Sequence, residues 1–153
     1  MEHLYLFTLE IASLEVGKAY DELPPHLTLV SRFLSDLPPD ELAATVRPLL
    51  AKTSRIHLVF GETTVLGPKK VTAHLITSTE ERRLHDNVLK LLDTTQVAYQ
   101  YPEFIGENHK PHVTARKDVR FDPGSEHIAS ATYLIEVVYT KRVVRAKFTL
   151  NAI

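Results

Sequence analysis

The chain has 153 residues, 44% hydrophobic and 24% charged, with a formal net charge of −1 and no cysteine. Such usage is that of a globular protein with material for a buried core, and the missing cysteines exclude disulfides, thiolate nucleophiles and cysteine-ligated metals. A charge so close to neutral argues against a broad basic grip on long duplexes, while leaving room for one nucleotide or one RNA end.

The opening stretch MEHLYLFTLEIASLE shows no basic segment ahead of a long apolar run, so no signal peptide is expected. No apolar run approaches the ~20 residues of a membrane span. One domain over 1–153 is expected, cytoplasmic and monomeric, with no membrane or protein partner implied.

In chain order, HLYLFTLEI at 3–11 reads as a strand, rich in aromatic and β-branched residues. Residues 12–22 read as a short helix. Pro24-Pro25 force an extended entry into a strand from His26 to Leu34. SDLPPDEL then opens a helix capped by Asp36 or Asp40, with Leu42, Val46, Leu49 and Leu50 on one buried face. Strands follow near 55–61 and 70–77 around a turn at Gly67-Pro68. A second helix over 79–93 begins at Ser78 or Thr79 and carries the stripe Leu84, Val88, Leu91, Leu92. Residues 97–110 form an irregular segment leading into a strand at 111–118. DPGS at 122–125 is a turn, and two closing strands near 127–140 and 143–151 meet in a hairpin around Lys141-Arg142.

Two tripeptides carry the chemistry. His26-Leu27-Thr28 lies in PPHLTLV and His112-Val113-Thr114 in KPHVTAR, each led by a proline. In a strand, residues two apart share a face, so each tripeptide offers an imidazole and a hydroxyl on one side and turns its middle residue away. With 8 histidines and 9 prolines in the chain, about 0.05 proline-led His-x-Thr motifs are expected by chance, and two are roughly a one-in-a-thousand event. A lone strand histidine is ordinarily bonded to nearby backbone and a strand threonine is ordinarily a β-former; a matched pair of both is not accounted for that way. Each half of the chain holds one such strand, which points to a duplicated α+β unit closing around a central cleft. Two histidines suit acid–base work near neutrality, and threonine hydroxyls suit donation to phosphate oxygens.

Arg32, Arg116 and Lys110 share strand faces or flanks with the motifs and are candidates to neutralise phosphate; each also reads as a solvated strand-end charge. Of the other histidines, His109 lies nearest the second motif, and His57 and His74 fall on paired strands. No close-spaced metal-ligand motif such as HExxH occurs, so no metal or other cofactor is expected. Tyr5, Phe7, Tyr99, Tyr101, Phe104 and Phe121 are candidates to stack a base, against the commoner fate of strand aromatics in a core.

PPHLTL and KPHVTAR resemble the paired motifs of the 2H phosphoesterase superfamily, which includes RNA 2′,3′-cyclic phosphodiesterases and 2′–5′ RNA ligase-like proteins. The resemblance implies a bilobal, pseudo-two-fold α+β fold with two antiparallel sheets flanking a central cleft and helices outside. It implies metal-independent chemistry, with His26 and His112 as the catalytic acid–base pair and Thr28 and Thr114 as phosphate ligands. Two departures lie beside the cleft and bear on the substrate: DVRFDPGSEH leaves little room for the family's helix after the second motif, and the 97–110 loop is long. The expected activity is hydrolysis of a 2′,3′-cyclic phosphate or related phosphodiester in RNA ends, oligonucleotides or nucleotides, with 2′–5′ ligation as the reverse direction. The alternatives are a phosphodiesterase for cyclic di- or oligonucleotide signals and a non-catalytic nucleotide-binding module.

Overall fold

Strand-forming runs dominate the chain. In the computed structural model, which describes residues 2–116 and 119–152, they assemble an open, antiparallel-rich sheet with two helices. The elements are β1 (His3–Glu10), β2 (Ala19–Tyr20), β3 (His26–Ser35), α1 (Pro39–Ala51), β4 (Ile56–Leu66), β5 (Val71–Thr77), α2 (Thr79–Asp93), β6 (Ala98–Tyr99), β7 (His112–Thr114), β8 (Glu126–Ala129), β9 (Ala131–Val138) and β10 (Lys141–Thr149). The strand order β2-β10-β9-β1-β3-β7-β5-β4-β8 divides into two half-sheets. They meet between β3 and β7 at one register pair, Leu27 with Val113.

Both helices press their apolar stripes on the same face of this sheet. Leu42, Val46 and Leu50 of α1 and Leu84, Val88 and Leu92 of α2 join Tyr5, Phe7, Leu27, Phe33, Leu58 and Val113 in one buried cluster. A smaller cluster lies elsewhere, where Leu14 and Leu23 cover Leu6, Tyr133, Ile135 and Val144. The segment carrying Leu14 and Leu23 is a strap rather than the expected 12–22 helix. It turns at Gly17 (φ +90°), whose N–H donates to the Val144 carbonyl at 2.7 Å, and pairs β2 with β10. Glycine tolerates that φ where other residues are strained.

The remaining expectations divide. The turn at Gly67-Pro68 joins β4 to β5, and Ser78 caps α2 by accepting from the Glu81 N–H at 3.1 Å. Helix α1 starts behind Pro38 with no side-chain cap, and Asp40 lies inside its first turn, where its charge suits the helix dipole. The closing strand expected over 127–140 is two strands: β8 pairs with β4, and β9 pairs with β1 and β10. The chain thus crosses between half-sheets at Ser130. The last hairpin turns at Tyr139-Thr140, because Val138 pairs with Lys141. The strand expected over 111–118 is regular only over His112–Thr114; its positions 117 and 118 lie outside the described residues.

Candidate active site on paired motif strands

Pairing of Leu27 with Val113 fixes the site. In an antiparallel pair the residues one step to either side also face one another, so His26 stands opposite Thr114 and Thr28 opposite His112. Leu27 and Val113 are fully buried in the core, and strand alternation sends all four motif side chains to the other face. Directly opposed side chains have Cβ atoms about 4.5–5.5 Å apart and diagonal ones about 7–8 Å, so the two histidines lie across a gap of the size a phosphate fills.

Both imidazoles are held in the same way. His26 Nδ1–H donates to the Pro24 carbonyl at 2.9 Å, and His112 Nδ1–H donates to the Lys110 carbonyl at 2.8 Å. Each intervening proline fixes its own φ and keeps the residue before it extended, which stands the carbonyl two residues back beside the ring. The bond selects the tautomer and leaves Nε2 of each ring available for proton transfer; among the described residues nothing bonds either Nε2 or the Thr28 and Thr114 hydroxyls. Burial pulls the His26 imidazole below its ordinary value, and the nearby Arg116, His112 and Arg142 push the same way, against the opposing pull of the Pro24 carbonyl.

All four motif residues line one open cleft of about 1120 Å³, together with Arg32, Lys110 and Arg116. The three basic candidates differ. Arg116 is tied to the strap: its guanidinium donates to the Leu23 carbonyl and pairs with Glu22 at 3.3 Å. Among the described residues, the side chains of Arg32 and Lys110 have no partner. Of the six aromatic candidates, Tyr101 and Phe104 line the cleft, their ring centroids 5.7 Å apart. Tyr5 and Phe7 are fully buried, Tyr99 donates to Asp93, and Phe121 stacks on Phe60 at 4.1 Å.

The histidines outside the motifs serve the scaffold. His57 faces solvent with Glu126 at 2.8 Å, while His74 is buried against Phe60 and Phe121, so the two do not meet. His109 pairs with fully buried Glu81 at 2.7 Å and stacks on His85 at 3.8 Å between centroids. His85 Nδ1–H donates to the Leu29 carbonyl and its Nε2 accepts from the Gly106 N–H; burial pulls it down to about 4, so it stays neutral. This cluster anchors the 101–110 segment to α2 immediately before His112. Reasoning from sequence missed Glu81 and His85, yet they sit on the buried stripe of α2 with Leu84, Val88 and Leu92, and a carboxylate on an apolar stripe is itself a signal of a buried partner. It also missed Ser31, Lys69 and Arg142, which line the cleft. Among the described residues, no three His, Asp or Glu side chains are grouped to hold a metal ion, and no helix is long and apolar enough to cross a membrane.

Comparison with known proteins adds the lineage. No curated protein sequence matches. Among solved structures, a protein described only as a phosphoesterase superposes with a TM-score of 0.64 at 14% identity, over 97% of this chain and 99% of its own. TT0787 of Thermus thermophilus gives 0.62 at 17% identity, over 97% and 98%. Escherichia coli LigT in complex with NADP+ gives 0.58 at 13% identity, over the same shares. These likenesses establish the fold. The family model of the 2′-5′ RNA ligase superfamily matches residues 8–153, and with that match the chain belongs to this superfamily, a 2H phosphoesterase group.

Proposed function

We propose that the protein is a metal-independent phosphodiesterase acting on 2′,3′-cyclic phosphates or related phosphodiesters of RNA ends, oligonucleotides or nucleotides. The observation that carries this reading is the square of His26, Thr114, Thr28 and His112 set by one register pair, with both Nε2 atoms unused. Its relative E. coli LigT has been crystallised with 3′-AMP and with NADP+, which agrees with a nucleotide substrate.

In this mechanism neutral His26 takes a proton from water at Nε2 as the water oxygen forms its bond to phosphorus. The bond from phosphorus to one ribose oxygen breaks, and His112 gives that oxygen its Nε2 proton. The lowered proton affinity of His26 supports its assignment as base, which leaves the acid role to His112. Thr28 and Thr114 donate to the non-bridging oxygens, where charge grows in the transition state.

The test is turnover of a 2′,3′-cyclic nucleotide and of a cyclic-phosphate-ended oligoribonucleotide in EDTA, wild type beside His26→Ala. Product from the wild type alone supports the reading, and its 2′ or 3′ phosphate names the bond cut. No product from either substrate refutes this substrate class. Cyclic dinucleotides would then be next on the panel, and nucleotide binding without any turnover would favour a binding module.

A further inference from the structure

Between Thr28 and Phe33 the pairing of β3 with β1 slips twice: Thr8 faces Thr28, Phe7 faces Val30 and Tyr5 faces Phe33. Such bulges re-aim side chains beside functional sites. Val30 and Phe33 both stay in the core, and the two residues between them, Ser31 and Arg32, both line the cleft. Regular alternation would have turned one of them away.

What the bulge delivers is unsatisfied. The Ser31 hydroxyl is buried and has no hydrogen-bond partner among the described residues, a condition that costs free energy unless a ligand relieves it. The Arg32 guanidinium has no partner there either, in contrast to Arg116 and Arg142, which are bonded to backbone carbonyls of the strap. Next to them, the Gln100 N–H donates to the Arg32 carbonyl at 2.9 Å, which docks the segment carrying Tyr101 and Phe104 against the bulge. Both aromatic rings are exposed, 37% and 49%, on the cleft wall. Ser31 and Arg32 lie three and four residues beyond Thr28, roughly 10–13 Å of strand at about 3.3 Å per residue. The cleft volume of about 1120 Å³ exceeds the roughly 300–1,000 Å³ that suits one drug-sized ligand.

We infer that Arg32 and Ser31 form a second phosphate subsite, one nucleoside away from the His/Thr square, with Tyr101 and Phe104 stacking the base between. The substrate class is therefore a nucleotide bearing two phosphates across one nucleoside, through either a 5′-phosphate or an internucleotide linkage, rather than a bare nucleoside cyclic phosphate. This deepens the proposed function and rests on it for the identity of the first phosphate. A guanidinium makes paired, charge-assisted bonds to phosphate oxygens, and a serine hydroxyl supplies one more donor.

Equilibrium binding tests this without turnover. Wild-type affinities are measured calorimetrically for adenosine 3′-monophosphate, adenosine 3′,5′-bisphosphate and the dinucleotide ApAp. One or both two-phosphate ligands bind about tenfold tighter than the monophosphate, and the tighter of the two names the source of the second phosphate. Arg32→Gln collapses that ratio toward one, and Arg32→Lys retains part of it. Equal affinities for all three ligands in the wild type, or a ratio that survives Arg32→Gln, overturns the subsite. A wild type that shows the ratio yet turns over no phosphodiester would keep the subsite and refute the proposed activity, so the two failures are separable.

Discussion

The two lobes offer the same Pro-His-apolar-Thr tetrapeptide on unequal supports. On the first side the motif opens a ten-residue strand, β3, paired to β1 over most of its length, and burial with nearby charge pulls His26 down. On the second side the motif is nearly the whole of a three-residue strand, β7, and its approach is anchored by the buried Glu81–His109 pair and the His85 ring stacked on it. Matched carbonyl bonds hold the two imidazoles in one tautomer, while burial and nearby charge lower the proton affinity of His26. The proposed acid–base pair needs like geometry to set the two rings across one phosphate, and a lowered His26 fits the base's side of it.

The largest way to break the comparison is to remove either ring. His26→Ala and His112→Ala are each expected to slow turnover about 10²–10⁴-fold; near wild-type rates in either variant would end the two-histidine account. His109→Ala strikes only the second support. It leaves buried Glu81 without its hydrogen-bond partner, a change costing about 1–3 kcal/mol, to be read in denaturant unfolding with Glu81→Gln as the milder companion. A midpoint unchanged by His109→Ala would show that the pair does not anchor the segment.

Thr28→Val and Thr114→Val sharpen the comparison at the phosphate. Each removes one donor to the developing charge and is expected to lower kcat by about 10²-fold, with KM for the same substrate changed far less. The smallest effect is a shift along the pH axis. His26 acts as base only when neutral, and its pKa is lowered from the ordinary ~6.5, so the acid limb of kcat/KM lies below that value. Arg116→Gln removes one of the charges that lower it, and the acid limb moves to higher pH. A limb that stays put or moves down would contradict His26 as the base.

Much of this was legible in the chain because the signals are local. Alternation turned Leu27 and Val113 inward, the stripes of both helices met the core, and the capping serine and the Gly67 turn fell where their chemistry requires. What escaped depends on partners remote in sequence. The run 127–140 reads as one strand because its apolar and β-branched residues continue through Ser130, and nothing local marks the crossing between half-sheets. The strap at 12–25 holds Leu14 and Leu23 at no helical spacing because they answer to Tyr133 and Val144 on distant strands. The bulge in β3 is invisible for the same reason: it is a relation between β3 and β1, and strict alternation from Thr28 would put Val30 on the cleft face with Arg32, whereas the structure buries Val30 and brings Ser31 forward.

The most direct test of the central claim is the rate on a cyclic-phosphate-ended oligoribonucleotide for wild type, His26→Ala, His112→Ala and the double variant. If the two rings serve one transition state, the double variant is little slower than the slower single one, because groups acting as a unit are lost together. Losses that multiply in the double variant, or a single variant close to the wild-type rate, would contradict it.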